Sequence, residues 1–100
     1  MTPLEKKFNE ELIKKYEAAQ KQCECKVIRF LQNITKFGGV KTAKEIIRKN
    51  RVSDDFETLQ KAGLMSLTME AMIVDPQYGD LFTDDEVNYC YDILCEYGYY

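Results

Sequence analysis

The 100-residue sequence contains no histidine, and this absence narrows the chemistry available to the protein. Histidine is the side chain most often used as a general base and as a metal ligand near neutral pH. The four cysteines therefore have no imidazole that could activate a thiolate nucleophile. We expect a protein that is not an enzyme and that binds no cofactor.

The sequence also lacks a long apolar run. A membrane-spanning helix needs about 18 uncharged apolar residues, and no stretch approaches this length. The N-terminal residues are polar and charged, unlike those of a signal peptide. Hydrophobic residues make up 45% of the chain and charged residues 31%, which is typical of one globular domain. The sequence predicts a soluble, cytoplasmic, single-domain protein over residues 1–100, with no membrane partner.

The cysteine spacing does not match a usual zinc site. Cys23 and Cys25 form a Cys-x-Cys pair, and Cys90 and Cys95 are separated by four residues. On a helix, Cys90 and Cys95 would lie about 140° apart around the axis, which suits a shared metal ion poorly. Reduced thiols are the leading interpretation, and no metal site is predicted. A zinc-stabilised fold is the weaker alternative.

Helix signals follow one another with short connections, which predicts a compact all-α bundle of five or six short helices. Thr2 and Pro3 mark the start of an N-terminal amphipathic helix over residues 1–22. The helical core then spans residues 25–98, and the sequence leaves open whether its first helix is continuous with the N-terminal one. The apolar stripe of the N-terminal helix consists of Leu4, Phe8, Leu12, Ile13, Tyr16 and Ala19.

A glycine pair and a capping box define the next two helices. The second helix is predicted from about Cys25 to Phe37 and ends at the Gly38-Gly39 pair, because glycine takes the positive φ that a helix C-terminus needs. The capping box Thr42-Ala43-Lys44-Glu45 is predicted to open a third helix that runs to about Lys49.

Two further helices have clear boundary residues. Ser53 is predicted to cap a fourth helix, with Asp54 and Asp55 in its first turn and Gly63 at its end. The capping box over residues 83–86 opens the last helix, which ends at Gly98. Its predicted buried stripe is Val87, Cys90, Tyr91, Leu94 and Tyr97.

The most apolar stretch, residues 64–82, is predicted to form the centre of the core. A helix from about Met69 would carry apolar side chains on nearly every face and would therefore be covered on most sides. The pair Asp75-Pro76 ends it, because proline disfavours a helical residue before it. Residues 65–69 alternate apolar and polar side chains, which is a strand signal. A helix is preferred because an isolated strand would have no partner.

These segments together resemble a small all-helical domain of bacteria and phages. The shared features are a helix that ends in Gly-Gly, a Thr-Ala-Lys helix, and the segment L-T-x-E-x-x-[IV]-x-D-P-x-[YF]-x-x-L-F-[ST]-x-x-E, which here spans Leu67–Glu86. The resemblance covers about residues 27–95. It implies a helical fold and a bacterial or phage origin, and it supplies no activity and no catalytic residues.

Positive charge is concentrated in the N-terminal half of the chain. Residues 1–51 contain 13 Lys and Arg against 6 Asp and Glu, whereas residues 52–100 contain one lysine and 11 acidic residues. The cations fall into two helical stripes that loosely resemble a phosphate-binding helix-turn-helix. The net charge of −3 argues against a dedicated nucleic-acid binder, so a solvated surface is the leading interpretation. The candidate phosphate contacts are Lys26, Arg29, Lys36, Lys41, Lys44, Arg48 and Arg51.

Carboxylates and aromatic side chains cluster between residues 75 and 86. Three carboxylates fall in the first turn of the last helix, where helix capping accounts for them without a metal ion. An acidic edge of this kind is complementary to a basic, phosphate-binding surface on another protein. The candidate partner contacts on this acidic edge are Asp75, Tyr78, Asp80, Asp84, Asp85 and Glu86.

The leading functional hypothesis is a non-enzymatic protein that acts by protein–protein contact through the acidic edge. A phage or mobile-element inhibitor of a bacterial, nucleic-acid-targeting defence nuclease is one protein of this kind. The alternative is an accessory nucleic-acid-binding domain that uses the basic stripes. The C-terminal residues Tyr99 and Tyr100 also raise the hypothesis of a homodimer, because tyrosine is favoured at interfaces.

Overall fold

A computed structural model describes residues 2–22, 27–53 and 56–99, and every regular element within them is helical. This confirms the predicted all-α fold. No helix in the described ranges is both long enough and apolar enough to cross a membrane. The α-helices in these ranges are Pro3–Gln22 (α1), Ile28–Phe37 (α2), Gly39–Arg48 (α3), Phe56–Lys61 (α4), Met69–Ile73 (α5) and Asp84–Glu96 (α6), with 3-10 helices at Met65–Leu67 and Pro76–Leu81.

Helix α1 begins as its sequence predicts. The Thr2 hydroxyl accepts a hydrogen bond from the Glu5 amide at 3.1 Å, and the Glu5 carboxylate accepts one from the Thr2 amide at 3.4 Å. This reciprocal capping satisfies two amides that the helix itself cannot pair. The buried stripe of α1 consists of Phe8, Leu12, Tyr16 and Ala19.

The junction between α2 and α3 differs from the prediction. Thr42 does not cap α3; it lies inside the helix, and its hydroxyl donates to the Asn33 carbonyl oxygen at 3.3 Å. The helix begins three residues earlier, at Gly39, whose amide donates to the Asn9 side chain of α1 at 2.8 Å. A polar group from another helix therefore satisfies this end of α3. The residues that connect α1 to α2, including Cys23 and Cys25, lie outside the described part of the chain. The prediction about the continuity of the two helices concerns these residues.

The predicted ends of α4 at Gly63 and of α6 at Gly98 are confirmed. Gly63 has a φ of 74°, and the Leu64 amide donates to the Leu59 carbonyl oxygen at 2.8 Å across the end of α4. Gly98 has a φ of 84°, which closes α6 with the same hydrogen-bond pattern. Glycine adopts this left-handed conformation without the steric cost of a Cβ atom.

The stretch predicted as the centre of the core, residues 64–82, contains the short helix α5 between two 3-10 helices. Its residues 65–69 form a 3-10 turn and the start of α5, so the strand alternative is wrong. Thr68 caps α5 by accepting the Ala71 amide at 3.3 Å, and the helix ends at Ile73, before Asp75-Pro76. As predicted for a helix covered on most sides, α5 buries Met69, Glu70, Met72 and Ile73.

Helix α6 opens with the predicted capping box, in which the Thr83 and Glu86 side chains each accept the other's amide. Its buried face differs from the predicted stripe, of which Cys90 and Leu94 are buried and Val87 and Tyr97 are half-buried. Tyr91, expected in the core, is 48% exposed, and the buried Ile93 contributes to the core instead. Phe56 of α4 then packs edge-on against Tyr97, with ring centres 4.9 Å apart.

Ser53, the predicted cap of the fourth helix, contacts Glu70 of α5. Its hydroxyl donates to Glu70 Oε1 at 2.7 Å and its amide donates to Glu70 Oε2 at 2.8 Å. Asp54 and Asp55, the predicted first-turn residues, lie outside the described part of the chain. The segment that follows α3 is thus held on α5, which places it beside the site described next.

Candidate functional site

A groove of about 650 Å³ lies between α2 and α3 and is bordered by the segment that follows α3. Its base is apolar. Phe30 is fully buried, Ile46 and Val52 are half-buried, and Phe37 is 50% exposed at the end of α2. A concave apolar surface of this kind accommodates the side chains of a ligand rather than water alone. We call this site the α2–α3 groove.

The rim of the α2–α3 groove is cationic. The four cations that line it are exposed to solvent: Arg29, Lys41, Lys49 and Arg51. Arg29 extends from α2, Lys41 from α3, and the other two from the end of α3 and the segment after it. A ligand with apolar side chains and negative charge would match both the base and the rim.

The groove also contains one carboxylate, from Glu45, and this charge is paired. Arg48 donates to both of its oxygens, from Nε at 2.9 Å and from an η nitrogen at 2.6 Å. These hydrogen bonds, aided by the charges of Arg48, Lys49 and Lys41, hold the pKa of Glu45 below its ordinary value. Because Arg48 balances Glu45, the remaining charge that faces a ligand is positive.

Phe37 links the apolar base to the cations. The Lys36 ammonium lies 5.2 Å from the centre of its ring, and the Lys41 ammonium lies 5.8 Å from it. Cations at this distance are attracted to the negative face of an aromatic ring. Phe37 therefore keeps two positive charges near one end of the groove while half of its own surface stays in contact with solvent.

Two long-range contacts fix the groove wall formed by residues 51–53. Ser53 is held by the two hydrogen bonds to Glu70, which is fully buried. The Tyr89 hydroxyl of α6 donates to the Arg51 carbonyl oxygen at 2.9 Å. Burial raises the pKa of Glu70, and the hydrogen bonds from Ser53 oppose that rise. The position of Arg51 and Val52 in the groove thus depends on α5 and α6.

The structure separates the candidate phosphate contacts into three groups. Arg29, Lys41 and Arg51 line the groove, and Lys36 lies against its Phe37 ring. Lys26 lies outside the described residues.

The other two candidate phosphate contacts are engaged within the protein. The Lys44 ammonium forms an ion pair with Glu86 at 2.7 Å and lies 5.4 Å from the centre of the Phe82 ring. Arg48 forms the bidentate pair with Glu45 described above. Neither residue lines the α2–α3 groove.

The predicted acidic edge does not form one surface. Tyr78 is fully buried, with its hydroxyl donating to Glu11 at 2.7 Å, so it cannot contact a partner at the surface. Its ring packs edge-on against Phe8 with centres 5.0 Å apart. Desolvation and the hydrogen bond to Glu11 both raise the pKa of the Tyr78 hydroxyl.

The carboxylates of the acidic edge divide between internal and exposed roles. Glu86 serves both the capping box of α6 and the ion pair with Lys44. Asp75 accepts hydrogen bonds from the Gln77 side chain at 2.9 Å and its amide at 3.1 Å, and these bonds lower the pKa of Asp75. The acidic-edge carboxylates that are exposed to solvent are Asp80, Asp84 and Asp85.

The cysteines of α6 face different environments. Cys90 is buried in the core and Cys95 is exposed at the surface. Burial, with Glu70 and Glu86 nearby, raises the pKa of the Cys90 thiol. Within residues 2–22, 27–53 and 56–99, no three Cys, Asp or Glu side chains converge as they would around a metal ion.

Sequence reasoning missed several groove residues. The sequence indicates Lys49 only as the end of a helix, and its patterns indicate no surface role for Phe37 or Val52. Phe37 has a recognisable signal, an aromatic residue with lysines one position before and four positions after it. Val52 has none, because the groove reaches it only through the contacts of Ser53 and Arg51 with distant helices.

Comparison of the chain with protein-family models, with curated proteins and with solved structures found no match to any of them. The resemblance to a bacterial and phage helical domain therefore stays a prediction. The groove, with its apolar base and cationic rim, is the feature on which a function can be argued.

Proposed function

We propose that the protein is a non-catalytic binding module that captures an acidic, amphipathic segment of a partner protein in the α2–α3 groove. The observation that carries this proposal is the combination of an apolar base, built on Phe30 and Ile46, with four exposed cations around it. Helix-in-groove recognition uses this combination: apolar side chains enter the groove while charges pair at its edge.

The groove replaces the acidic edge as the proposed contact surface. Tyr78 is buried, Glu86 is paired with Lys44, and Asp75 accepts two hydrogen bonds from Gln77, so three of the six residues of that edge are engaged within the protein. Inhibition of a bacterial defence nuclease stays a prediction from the sequence.

The charge distribution favours a short acidic ligand over a long polyanion. The molecule measures 32 × 27 × 23 Å, and residues 62–100 contain no lysine or arginine. Electrostatic interactions extend about 8 Å at physiological ionic strength. A nucleic acid that continued past the groove would meet the acidic C-terminal half, whereas a short peptide segment would contact the cationic rim alone.

One observation supports the second candidate function, binding of single-stranded nucleic acid. Phe37 is half-exposed and flanked by Lys36 and Lys41, an arrangement on which a base could stack while its phosphates meet cations. Single-strand binding proteins combine aromatic platforms with a positive groove in this way. The two candidates make opposite predictions for the same binding experiment.

The test is fluorescence anisotropy with three labelled probes on the full chain. The first is an amphipathic peptide of about 20 residues with leucines at i, i+3, i+4 and i+7 and glutamates elsewhere. The second has the same composition with the leucines spread around the helix, and the third is an oligothymidylate of about 20 nucleotides. We expect the amphipathic peptide to bind at least about tenfold more tightly than the other two.

A pair of charge-matched variants localises the contact. Lys41→Glu with Lys49→Glu reverses two groove cations, and Lys6→Glu with Lys14→Glu reverses two exposed cations of α1. We expect the groove variant to weaken peptide binding by about tenfold or more, and the α1 variant to change it by less than about twofold. Equal losses in both variants would overturn the groove assignment, and tighter binding of the oligothymidylate would establish the nucleic-acid alternative.

A further inference from the structure

The solvent face of α6 has the chemistry that the α2–α3 groove is proposed to accept. At 100° per residue its exposed side chains lie within about 140° of the helix circumference. Tyr91 is 48% exposed among them, and Tyr99, just after the helix, is 40% exposed. Residues 62–100 contain no lysine or arginine, so this part of the chain contributes no cation to the surface. The exposed polar and aromatic residues of this α6 face are Asp84, Asp85, Asn88, Tyr91, Asp92 and Glu96, and exposed Cys95 lies among them.

The charges on the two surfaces have matching spacing. Lys41 of α3 and Lys49, the C-cap residue of α3, are eight residues apart, and Asp84 and Asp92 are eight residues apart along α6. With a rise of 1.5 Å per residue, each pair spans about 12 Å. Tyr91 lies between the two aspartates along α6, and Ile46 of the groove lies between the two lysines along the chain. An α6 helix laid beside α3 would therefore bring two carboxylates and a tyrosine towards two cations and an apolar side chain.

We propose that the α6 face of one copy of this chain occupies the α2–α3 groove of a second copy. The contact is heterologous, because two different surfaces of the molecule meet in it. Opposite charge guides the two surfaces together and tyrosine supplies contact area. The inference rests on the proposed function only in that both use the α2–α3 groove. When two copies associate, α6 of one copy competes with the partner protein for the groove of the other copy.

Sedimentation equilibrium of the full chain tests this contact, with a thiol reductant present so that exposed Cys95 does not cross-link. Weak contacts dissociate in the micromolar to millimolar range, so the chain is studied from about 10 µM to about 1 mM. We expect the mean mass to rise with concentration above the 11.7 kDa of one chain. The association constant should fall at least about tenfold between about 50 and 500 mM salt. A mass that stays at one chain throughout overturns the proposal.

A charge-swap experiment identifies the surfaces. The groove variant, Lys41→Glu with Lys49→Glu, and the α6 variant, Asp92→Lys with Glu96→Lys, each change exposed side chains and should fold as the parent does, as circular dichroism would verify. Each variant alone repels its own copies and is expected to be monomeric. In a 1:1 mixture, the acidic groove of one variant faces the basic α6 of the other, and association should return. A mixture that stays monomeric while the parent associates overturns the assignment of these surfaces.

The same variants separate this inference from the proposed function. The α6 variant keeps the groove intact, so it should bind the amphipathic glutamate–leucine peptide at least as tightly as the parent does. A parent that self-associates but ignores the peptide would overturn the proposed function and leave self-association standing. A parent that binds the peptide and stays monomeric would overturn self-association alone.

Discussion

The buried carboxylate of Glu70 accepts two hydrogen bonds from a single residue, Ser53, at 2.8 Å from the amide and 2.7 Å from the hydroxyl. Both side chains are inaccessible to solvent or nearly so. The pair joins α5, at the centre of the core, to the segment that forms one wall of the α2–α3 groove. A buried carboxylate is tolerated when its oxygens are hydrogen-bonded. Here the hydrogen bonds also determine where the groove wall lies.

Replacing Glu70 by alanine should therefore affect both stability and the groove. The change leaves the Ser53 amide and hydroxyl without partners in the interior and opens a cavity. We expect it to lower the free energy of unfolding by about 2–4 kcal/mol, measured by urea denaturation. Glu57→Ala on the exposed face of α4 is the control and should cost less than about 0.5 kcal/mol. Equal effects of the two changes would show that the Ser53 contact contributes nothing.

Glu70 also gives a pH-dependent prediction. Burial raises its pKa above the ordinary value of 4.5, so the folded state favours the neutral carboxyl group. A raised pKa contributes stability below pH 4.5, and this contribution is lost as the pH rises through the folded-state pKa. Glu70→Gln keeps the shape and removes the titration. We expect the free energy of unfolding of the variant, minus that of the parent, to increase as the pH rises from about 4 to about 8. The subtraction cancels the other titrating groups, and a constant difference would contradict the prediction.

The elements that could be predicted from sequence are those whose signals are local. Thr2 and Thr83 begin helices and Gly63 and Gly98 end them, each through residues only a few positions away. The structure has all four in the predicted roles. The start of α3 could not be predicted in this way, because Asn9, thirty residues away, supplies its hydrogen-bond acceptor.

The candidate site shows the same division. Helical spacing places Arg29 in one basic stripe and Lys41 and Arg51 in the other, and all three line the groove. Spacing alone could not show that Lys44 and Glu86 neutralise each other, because the two residues belong to different helices. A charged residue can face a ligand only if no partner within the fold already pairs with it, and that depends on tertiary packing.

Gly39 lies where α3 crosses closest to α1, which predicts a cost for any side chain there. A Cβ atom at Gly39 would meet Phe8 Cδ2 at 3.2 Å and Leu12 Cδ2 at 3.3 Å, and both of these side chains are fully buried. Overpacking of this kind should outweigh the gain in helix propensity, so we expect Gly39→Ala to destabilise the protein by about 1–2 kcal/mol.

Gly79 provides the matched control for this change. It is exposed in the second 3-10 helix, its φ is not positive, and a Cβ atom there would meet nothing within 4 Å. We expect Gly79→Ala to be neutral or to stabilise the protein by up to about 1 kcal/mol, through the reduced entropy of the unfolded chain. Thermal unfolding of the two variants checks the contrast. A Gly39→Ala protein as stable as the parent would mean that α1 and α3 can separate without cost.

The ion pair between Lys44 and Glu86 gives a prediction for acid unfolding. Burial alone would raise the pKa of Glu86, but hydrogen bonds from Lys44 and Thr83 outweigh it and lower the pKa below 4.5. A lowered pKa contributes stability above pH 4.5, which is lost as the pH falls through the folded-state value. Glu86→Gln should therefore destabilise the protein at pH 7 by about 0.5–1 kcal/mol, and this loss should shrink as the pH falls below 4.5.

Asp85→Asn removes a charge from the same helical turn without removing this pair, so it should show a smaller change over that range. Chemical denaturation from about pH 3 to pH 7 measures the free energy of unfolding of each variant. Parallel curves of this free energy against pH would show that Lys44 and the capping box add nothing to the helix-dipole effect.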